Sequence, residues 1–272
     1  EQIAYEYSRA YAKLVKENGG KKILVGRDAR QSGPIILSSV TKAFQAEEIE
    51  IEYAGILPTP TMLLLVKKLN FDAGVMITAS HNPIEYNGIK FIVPGGRLTN
   101  AQETKTIQQF YDSLTTEEKT IQGHPLSEPT LDNKELRKIH IDEILKNIDA
   151  DLIRNKNFKV ALDPINSGGS LITQELLKEL NCEVHVINGE MTGLFAHRPE
   201  PLPENLTKTA EFVKNGAVDV GFVQDPDADR LLVIDETGSI IGEEKTLVLA
   251  IKNVLAKEPG DIVINLSTSS MS

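Results

Sequence analysis

Lys21-Lys22-Ile23-Leu24-Val25, then Gly26-Arg27-Asp28-Ala29-Arg30, then Ser32 ahead of a helically spaced stretch from Pro34 to Ala46, is the segment that decides the fold. It reads as apolar strand, polar turn, helix. The same order recurs at Lys159-Val160-Ala161-Leu162-Asp163, Asn166-Ser167-Gly168-Gly169-Ser170 and the helical Leu171 to Leu180. A third opening is expected at Asp261-Ile262-Val263-Ile264-Asn265 with Ser267 to Ser270. Openings of one unit at irregular separations predict related α/β domains in series and not a solenoid. The expected architecture is two consecutive α/β/α domains with mixed, mostly parallel sheets covered by helices on both faces, plus the start of a third. The expected limits are 1–156, 157–258 and 259–272.

Outward from those units, Ile3, Tyr7, Ala10, Tyr11 and Leu14 have helical spacing at the start of the chain. The polar, Thr/Pro-rich stretch from Ser113 to Asn133 reads as a loop or linker, and Leu136 to Ile153 returns to helical spacing. An apolar share of 40% with 25% charged residues is the composition of a globular chain with a core. A net charge of −10 repels a polyphosphate backbone, which argues against a nucleic-acid partner. An anionic ligand then needs a local basic pocket or a metal. The single cysteine, Cys182, has no internal disulfide partner, and the alternation Cys182, Val184, Val186 predicts a half-buried strand. A reducing, cytoplasmic location is expected. The longest apolar run, Met62 to Val66, is far short of the roughly 18 residues of a membrane span. The chain opens on Glu1, so the native start is expected upstream.

Chemistry concentrates in two places. In the first, Ala73-Gly74-Val75-Met76-Ile77 runs into Thr78-Ala79-Ser80-His81-Asn82-Pro83. A strand end carrying a hydroxyl, an imidazole and an amide lies where α/β sheets place ligands. An ordinary polar turn closed by Pro83 fits the same residues. No G-x-S-x-G motif supports a hydrolase, and adjacent side chains on an extended backbone point to opposite faces, which makes His81 a poor base for Ser80. Downstream, Asn87-Gly88 predicts a tight turn, Lys90 is a cation among apolar neighbours in Ile89-Lys90-Phe91-Ile92-Val93, and Pro94-Gly95-Gly96 turns the chain back.

In the second place, Val220-Gly221-Phe222-Val223-Gln224 leads into Asp225-Pro226-Asp227-Ala228-Asp229-Arg230 and then Leu231-Leu232-Val233-Ile234-Asp235. Three carboxylates at alternate positions repel one another, so an oxygen-seeking cation, Mg²⁺, is their natural occupant. An EF-hand is ruled out: Arg230 stands where its loop requires Gly, and the flanks are β-branched strands. An aspartyl phosphotransferase, with Asp225 phosphorylated, matches Asp225 and Asp227 but leaves Asp229 as a third charge beside the nucleophile.

Taken together, Thr78 to Pro83, Asn87-Gly88-Ile89-Lys90 and Asp225 to Arg230 closely resemble the α-D-phosphohexomutase family. Gly26-Arg27-Asp28-Ala29-Arg30 resembles its G-R-D-x-R turn. Arg198-Pro199-Glu200-Pro201 with Pro203-Glu204-Asn205-Leu206 resembles its second-domain loop. The resemblance spans essentially the whole chain. It implies an Mg²⁺-dependent isomerase that interconverts hexose 1-phosphate and hexose 6-phosphate through a phosphoserine and a hexose bisphosphate intermediate.

By that resemblance Ser80 is the phosphoserine and contributes an oxygen to the metal beside Asp225, Asp227 and Asp229. Lys90 and His81 belong to the catalytic set, with Lys90 in acid/base transfer at the sugar hydroxyl. Asn82, Arg230 and Arg27 face substrate and phosphate. The roles agree with the physics, because phosphoryl transfer needs alignment and charge neutralisation, and a phosphoserine carries about −1.5 to −2 charges at neutral pH. The family's opening G-T-x-G-x-R-G motif and its third- and fourth-domain substrate loops are not in this sequence. This chain alone is therefore expected to be inactive, and a non-catalytic Mg²⁺- or phosphate-binding fragment is the alternative. The compact spacing leans toward prokaryotic-type phosphoglucosamine, phosphomannose or phosphoglucose mutases.

Overall fold

The computed structural model describes residues 1–126, 129–131, 133–200, 202–216 and 218–264. The first unit contains α1 (Gln2–Glu17), β1 (Lys22–Arg27), α2 (Gly33–Gln45), β2 (Glu50–Ile56), α3 (Thr59–Lys68), β3 (Ala73–Ile77), β4 (Ile89–Val93), β5 (Arg97–Leu98) and α4 (Ala101–Ser113). Its sheet has the order β2-β1-β3-β4-β5. β1 is parallel to both β2 and β3, and β4 returns antiparallel to β3.

Period-two alternation assigns the two faces of this sheet. Ile23, Val25, Val75 and Ile77 point to a core shared with Ala10, Tyr11 and Leu14 of α1, Val40 and Phe44 of α2 and Ile107 of α4. Leu24 and Met76 point the other way, onto Met62, Leu65 and Val66 of α3 and Leu136 of the next helix, α5 (Asn133–Lys146). Helices on both faces are what the continuous apolar strands require. The stretch after α4 has no strand or regular helix among its described residues and works as a strap. Thr130 exchanges hydrogen bonds with the Tyr53 backbone, and Tyr5 Oη donates to the Thr120 carbonyl.

A short helix, α6 (Ala150–Arg154), leads to the second unit: β6 (Lys159–Asp163), α7 (Ser170–Glu179), β7 (Glu183–Val186), a 3-10 turn at Pro203–Asn205, α8 (Thr207–Asn215), β8 (Val220–Gln224), β9 (Leu231–Asp235) and α9 (Glu243–Leu255). The sheet order is β7-β6-β8-β9, with β6 parallel to β7 and β8, and β9 antiparallel to β8. Each unit thus starts in the middle of its sheet, adds its second strand on one side and its third on the other. The crevice beyond the strand ends at that reversal is where such sheets bind ligands. The residues after β1 and β3, and those after β6 and β8, are therefore the ones presented.

Three expectations are corrected. Asn87-Gly88 is not the tight turn: the turn falls at Ile84-Glu85, and Gly88 instead accepts from the Thr78 N–H through its carbonyl, extending the β3–β4 pairing into a long connection. Asp261 to Ile264 form no strand and are exposed, while Asn265 and Ser267 to Ser270 lie outside the described residues. Ser80 and His81 do not face opposite ways. Ser80 has φ +49°, in the left-handed region, and its Oγ lies 3.4 Å from His81 Nδ1.

Candidate active site

The loop after β3 and the loop after β8 meet. Ser80 Oγ donates to Asp225 Oδ2 at 2.8 Å, joining the two sheets. The serine is held from behind through Thr78, whose hydroxyl accepts from Ser80 N (2.9 Å) and donates to Asp28 Oδ2 (2.8 Å). Asp28 is fully buried at the end of β1. Burial raises its pKa, opposed by hydrogen bonds from Arg30 and Thr78 and by the Arg30 charge.

The acidic loop gathers three carboxylates whose nearest oxygens lie within 4.8 Å of one another. Asp225 and Asp227 are fully buried and Asp229 is exposed. Burial, reinforced by Asp227 and Asp229, pushes the Asp225 carboxyl up to about 8, against hydrogen bonds from Ser80 and the Arg230 N–H. Lys90, on the antiparallel strand β4 of the first unit, reaches Asp227 Oδ2 at 2.7 Å and Asp229 Oδ2 at 2.9 Å. Burial presses its ammonium toward neutrality, but the two carboxylates outweigh that and its pKa is raised. Thr59, at the start of α3, donates from Oγ1 to Asp227 Oδ2, and its N–H donates to the Asp227 carbonyl at 2.9 Å.

Asp227 Oδ1 is buried with no hydrogen-bond partner among the described residues. A buried carboxylate oxygen left so is costly. An all-oxygen donor set with an orphaned anionic atom and a neighbour whose pKa is raised by burial and by the adjacent carboxylates fits a hard divalent cation.

The remaining expected site residues are placed as follows. Arg230 directly follows the cluster, is half-buried, and donates its backbone N–H to Asp225 Oδ1. Asn82 is exposed and its side chain donates to the Ala79 carbonyl. Arg27 binds Tyr53 Oη through Nε and the Asp28 carbonyl through Nη1, both at 2.9 Å. Sequence reasoning passed over Asp28, Thr59 and Arg30. Arg30 is fully buried and donates to Asp28 and to four carbonyls of the Ser80 loop. The G-R-D-x-R turn carried the signal, but nothing in it distinguishes Arg27 from Arg30. Beside the Ser80 loop opens a cleft of about 590 Å³ lined by His81, Pro83, Phe195, His197 and Arg198 among others.

Comparison with known proteins matches these loops to a family. The family models for phosphoglucomutase/phosphomannomutase α/β/α domains I and II match residues 1–118 and 138–238. A phosphoglucosamine/phosphogalactosamine mutase of Sulfurisphaera tokodaii is 34% identical over 274 residues, covering 99% of this chain and 59% of that protein. A phosphoglucomutase/phosphomannomutase of Thermococcus kodakarensis is 32% identical with the same coverage. A solved phosphoglucomutase/phosphomannomutase family protein of Burkholderia thailandensis superposes with a TM-score of 0.77 at 25% identity, covering 95% of this chain and 56% of that one. The chain thus spans under two thirds of the relatives it matches. With domain models matched on both units, it belongs to the phosphoglucomutase/phosphomannomutase family of α-D-phosphohexomutases.

Proposed function

We propose that the protein containing this chain interconverts hexose 1-phosphate and hexose 6-phosphate, with Ser80 as phosphoryl carrier. The observation that carries this reading is the 2.8 Å contact of Ser80 Oγ with Asp225, beside a cation-suited carboxylate set. Asp225, Asp227, Asp229 and an oxygen of phosphorylated Ser80 would hold Mg²⁺. Bound there, the ion supplies positive charge against the phosphoryl oxygens.

The chain's own residues supply the rest. Phosphoryl transfer to a sugar hydroxyl breaks the bond from Ser80 Oγ to phosphorus and forms one from the sugar oxygen, and the proton of that hydroxyl passes to the serine oxygen. Lys90 is the proton carrier in this reading; it is an ammonium in the free chain because Asp227 and Asp229 outweigh its burial. His81, within 3.4 Å of Ser80 Oγ, lines the cleft where sugar would enter. The reverse step returns a phosphoryl group from the bisphosphorylated sugar to Ser80. Phosphorylation of Asp225 is disfavoured: its two oxygens already accept from Ser80 and the Arg230 N–H, and in this reading it is committed to the cation, with Asp227 and Asp229 adding like charge beside it.

The relatives named above act, by their names, on glucose, mannose, glucosamine or galactosamine phosphates, and we assign the same broad class here. Exposure to a hexose 1,6-bisphosphate with Mg²⁺, followed by intact mass and phosphopeptide mapping, is expected to find an acid-stable phosphate on Ser80. A hydroxylamine-labile acyl phosphate on Asp225 would overturn the assignment. The 272-residue chain alone is expected to turn over hexose phosphates at background.

A further inference from the structure

Arg30 heads the large side chains that are fully buried. Its guanidinium has five N–H donors. Nε donates to Asp28 Oδ2 (3.1 Å), Nη1 to the carbonyls of Pro83 (2.7 Å) and Tyr86 (2.9 Å), and Nη2 to those of Ser80 and Asn82 (both 2.7 Å). Every donor is used, so Arg30 has none left for a phosphate. What it grips is the backbone of the loop that carries Ser80, at four points between Ser80 and Tyr86.

The open face of that guanidinium is covered from the other unit. Phe195, on the connection after β7, lies with its ring centroid 5.0 Å from Arg30 Cζ, within the range of a cation–π contact. The connection is tied down on its own side: Gly193 N donates to the Asn166 carbonyl, Asn166 Nδ2 donates to the Leu194 carbonyl, and His197 Nε2 lies 3.3 Å from buried Asp163 Oδ2. On the other side it presses against the turn after β1. Gly193 has φ +68°, and a Cβ there would sit 1.9 Å from the Ala29 carbonyl oxygen. Only glycine permits this approach.

We propose that Arg30 and Phe195 are positioning residues: Arg30 shapes the Ser80 loop by binding four of its carbonyls, and Phe195 from the second unit holds that guanidinium in place. The proposal rests on the reading of Ser80 as phosphoryl carrier. Neither residue supplies a donor to substrate. Their effect is on where Ser80 Oγ stands relative to Asp225, and a displacement of about 1 Å at such a position costs on the order of 100-fold in rate.

The test uses Phe195→Ala, Phe195→Tyr and Gly193→Ala in the full-length protein, with Arg30→Lys as the stronger lesion. Two readouts are taken: amide hydrogen exchange, and phosphorylation of Ser80 by glucose 1,6-bisphosphate with Mg²⁺. Phe195→Ala and Gly193→Ala are expected to speed exchange at Ser80, Asn82, Tyr86 and Gly88 about tenfold or more while β1 and β3 stay protected. Phe195→Ala should also lower the limiting single-turnover rate of Ser80 phosphorylation about tenfold at saturating bisphosphate, beyond any weakening of binding from its place on the cleft wall, and Phe195→Tyr, which keeps a ring, should restore both exchange and rate. Unchanged exchange at those four amides in Phe195→Ala overturns the proposal. So does a parallel loss of protection across β1 and β3, which marks a general structural role. A wild-type protein that takes no phosphate at Ser80 defeats the function reading instead, and the exchange data still judge the positioning.

Discussion

The two units share one plan and differ in what they place after the third strand. In each, a buried aspartate closes or directly follows the first strand, and its Oδ1 accepts the N–H two residues on: Asp28 from Arg30 (2.9 Å), Asp163 from Ile165 (3.1 Å). In each, the third strand pairs antiparallel with the fourth. Asp28 then takes an arginine as its charge partner, and Asp163 takes Thr209, Asn188 and His197. The first unit offers a hydroxyl and a lysine across the interface, and the second offers three carboxylates. A repeated scaffold supplies position, and the chemistry comes from which loop residues it carries and from joining the two copies.

The sharpest way to break the comparison is to remove the matched aspartates. Asp28→Ala strands a fully buried guanidinium and is expected to cost about 3–5 kcal/mol of stability. Asp163→Ala leaves mainly neutral donors without a partner and should cost about 2 kcal/mol. Urea unfolding giving equal losses would show that the two sites are electrostatically alike.

Asp227→Asn, in the unit that carries the charge, is expected to weaken Mg²⁺ binding about 100-fold by titration calorimetry. Ser80→Ala, its counterpart in the first unit, should change that affinity by less than about threefold in the unphosphorylated protein, since a neutral hydroxyl adds little to three carboxylates. Unchanged affinity in Asp227→Asn would remove the cluster from the metal site.

A milder probe is pH. Asp225 is raised to about 8 in the folded, cation-free chain, from the ordinary carboxylate value, so the folded state binds its proton more tightly than the unfolded state does. Its contribution to cation-free stability is then fully present below the unfolded value and is lost as pH rises through about 8. A cation needs the carboxylate ionised, so apparent Mg²⁺ affinity should fall up to about tenfold per pH unit as pH drops below about 8. That window lies well above the one near 4 suggested by ordinary carboxylates. Calorimetry in buffers of different ionisation enthalpy should detect proton release near pH 7.

The smallest effect concerns the join itself. Arg137 of α5 makes a paired contact with Glu175 of α7, both at 2.7 Å, but Glu175 is partly exposed. Arg137→Ala should cost about 1 kcal/mol or less. A larger loss would mean that the helices, and not the site loops, hold the units together.

The apolar runs at Ile23-Leu24-Val25 and Val160-Ala161-Leu162 made both scaffolds legible in the sequence, because a strand buried on two faces leaves a continuous signature. The carboxylates were legible because three like charges within five residues require an explanation. Thr59, Arg30 and Phe195 were not: Thr59 and Phe195 act through partners distant in sequence, and Arg30, beside its near neighbour Asp28, grips carbonyls at least 50 positions away. Asp227 lies 168 positions from Thr59, and nothing local to either marks the contact. The Ser80–His81 geometry was missed for a different reason. Side-chain direction was inferred from an extended backbone, and the chain turns left-handed at that residue.

The grip of Arg30 has an electrostatic consequence for an anion near Ser80. Carbonyl oxygens are the negative ends of peptide dipoles, and four of them from one short loop are turned onto a single guanidinium. Left unpaired, they would add partial negative charge to a neighbourhood already holding Asp225, Asp227 and Asp229. Drawn onto Arg30, they are matched by a fixed positive charge, and Ser80, if it carries the dianion proposed above, would be spared the repulsion of its own backbone.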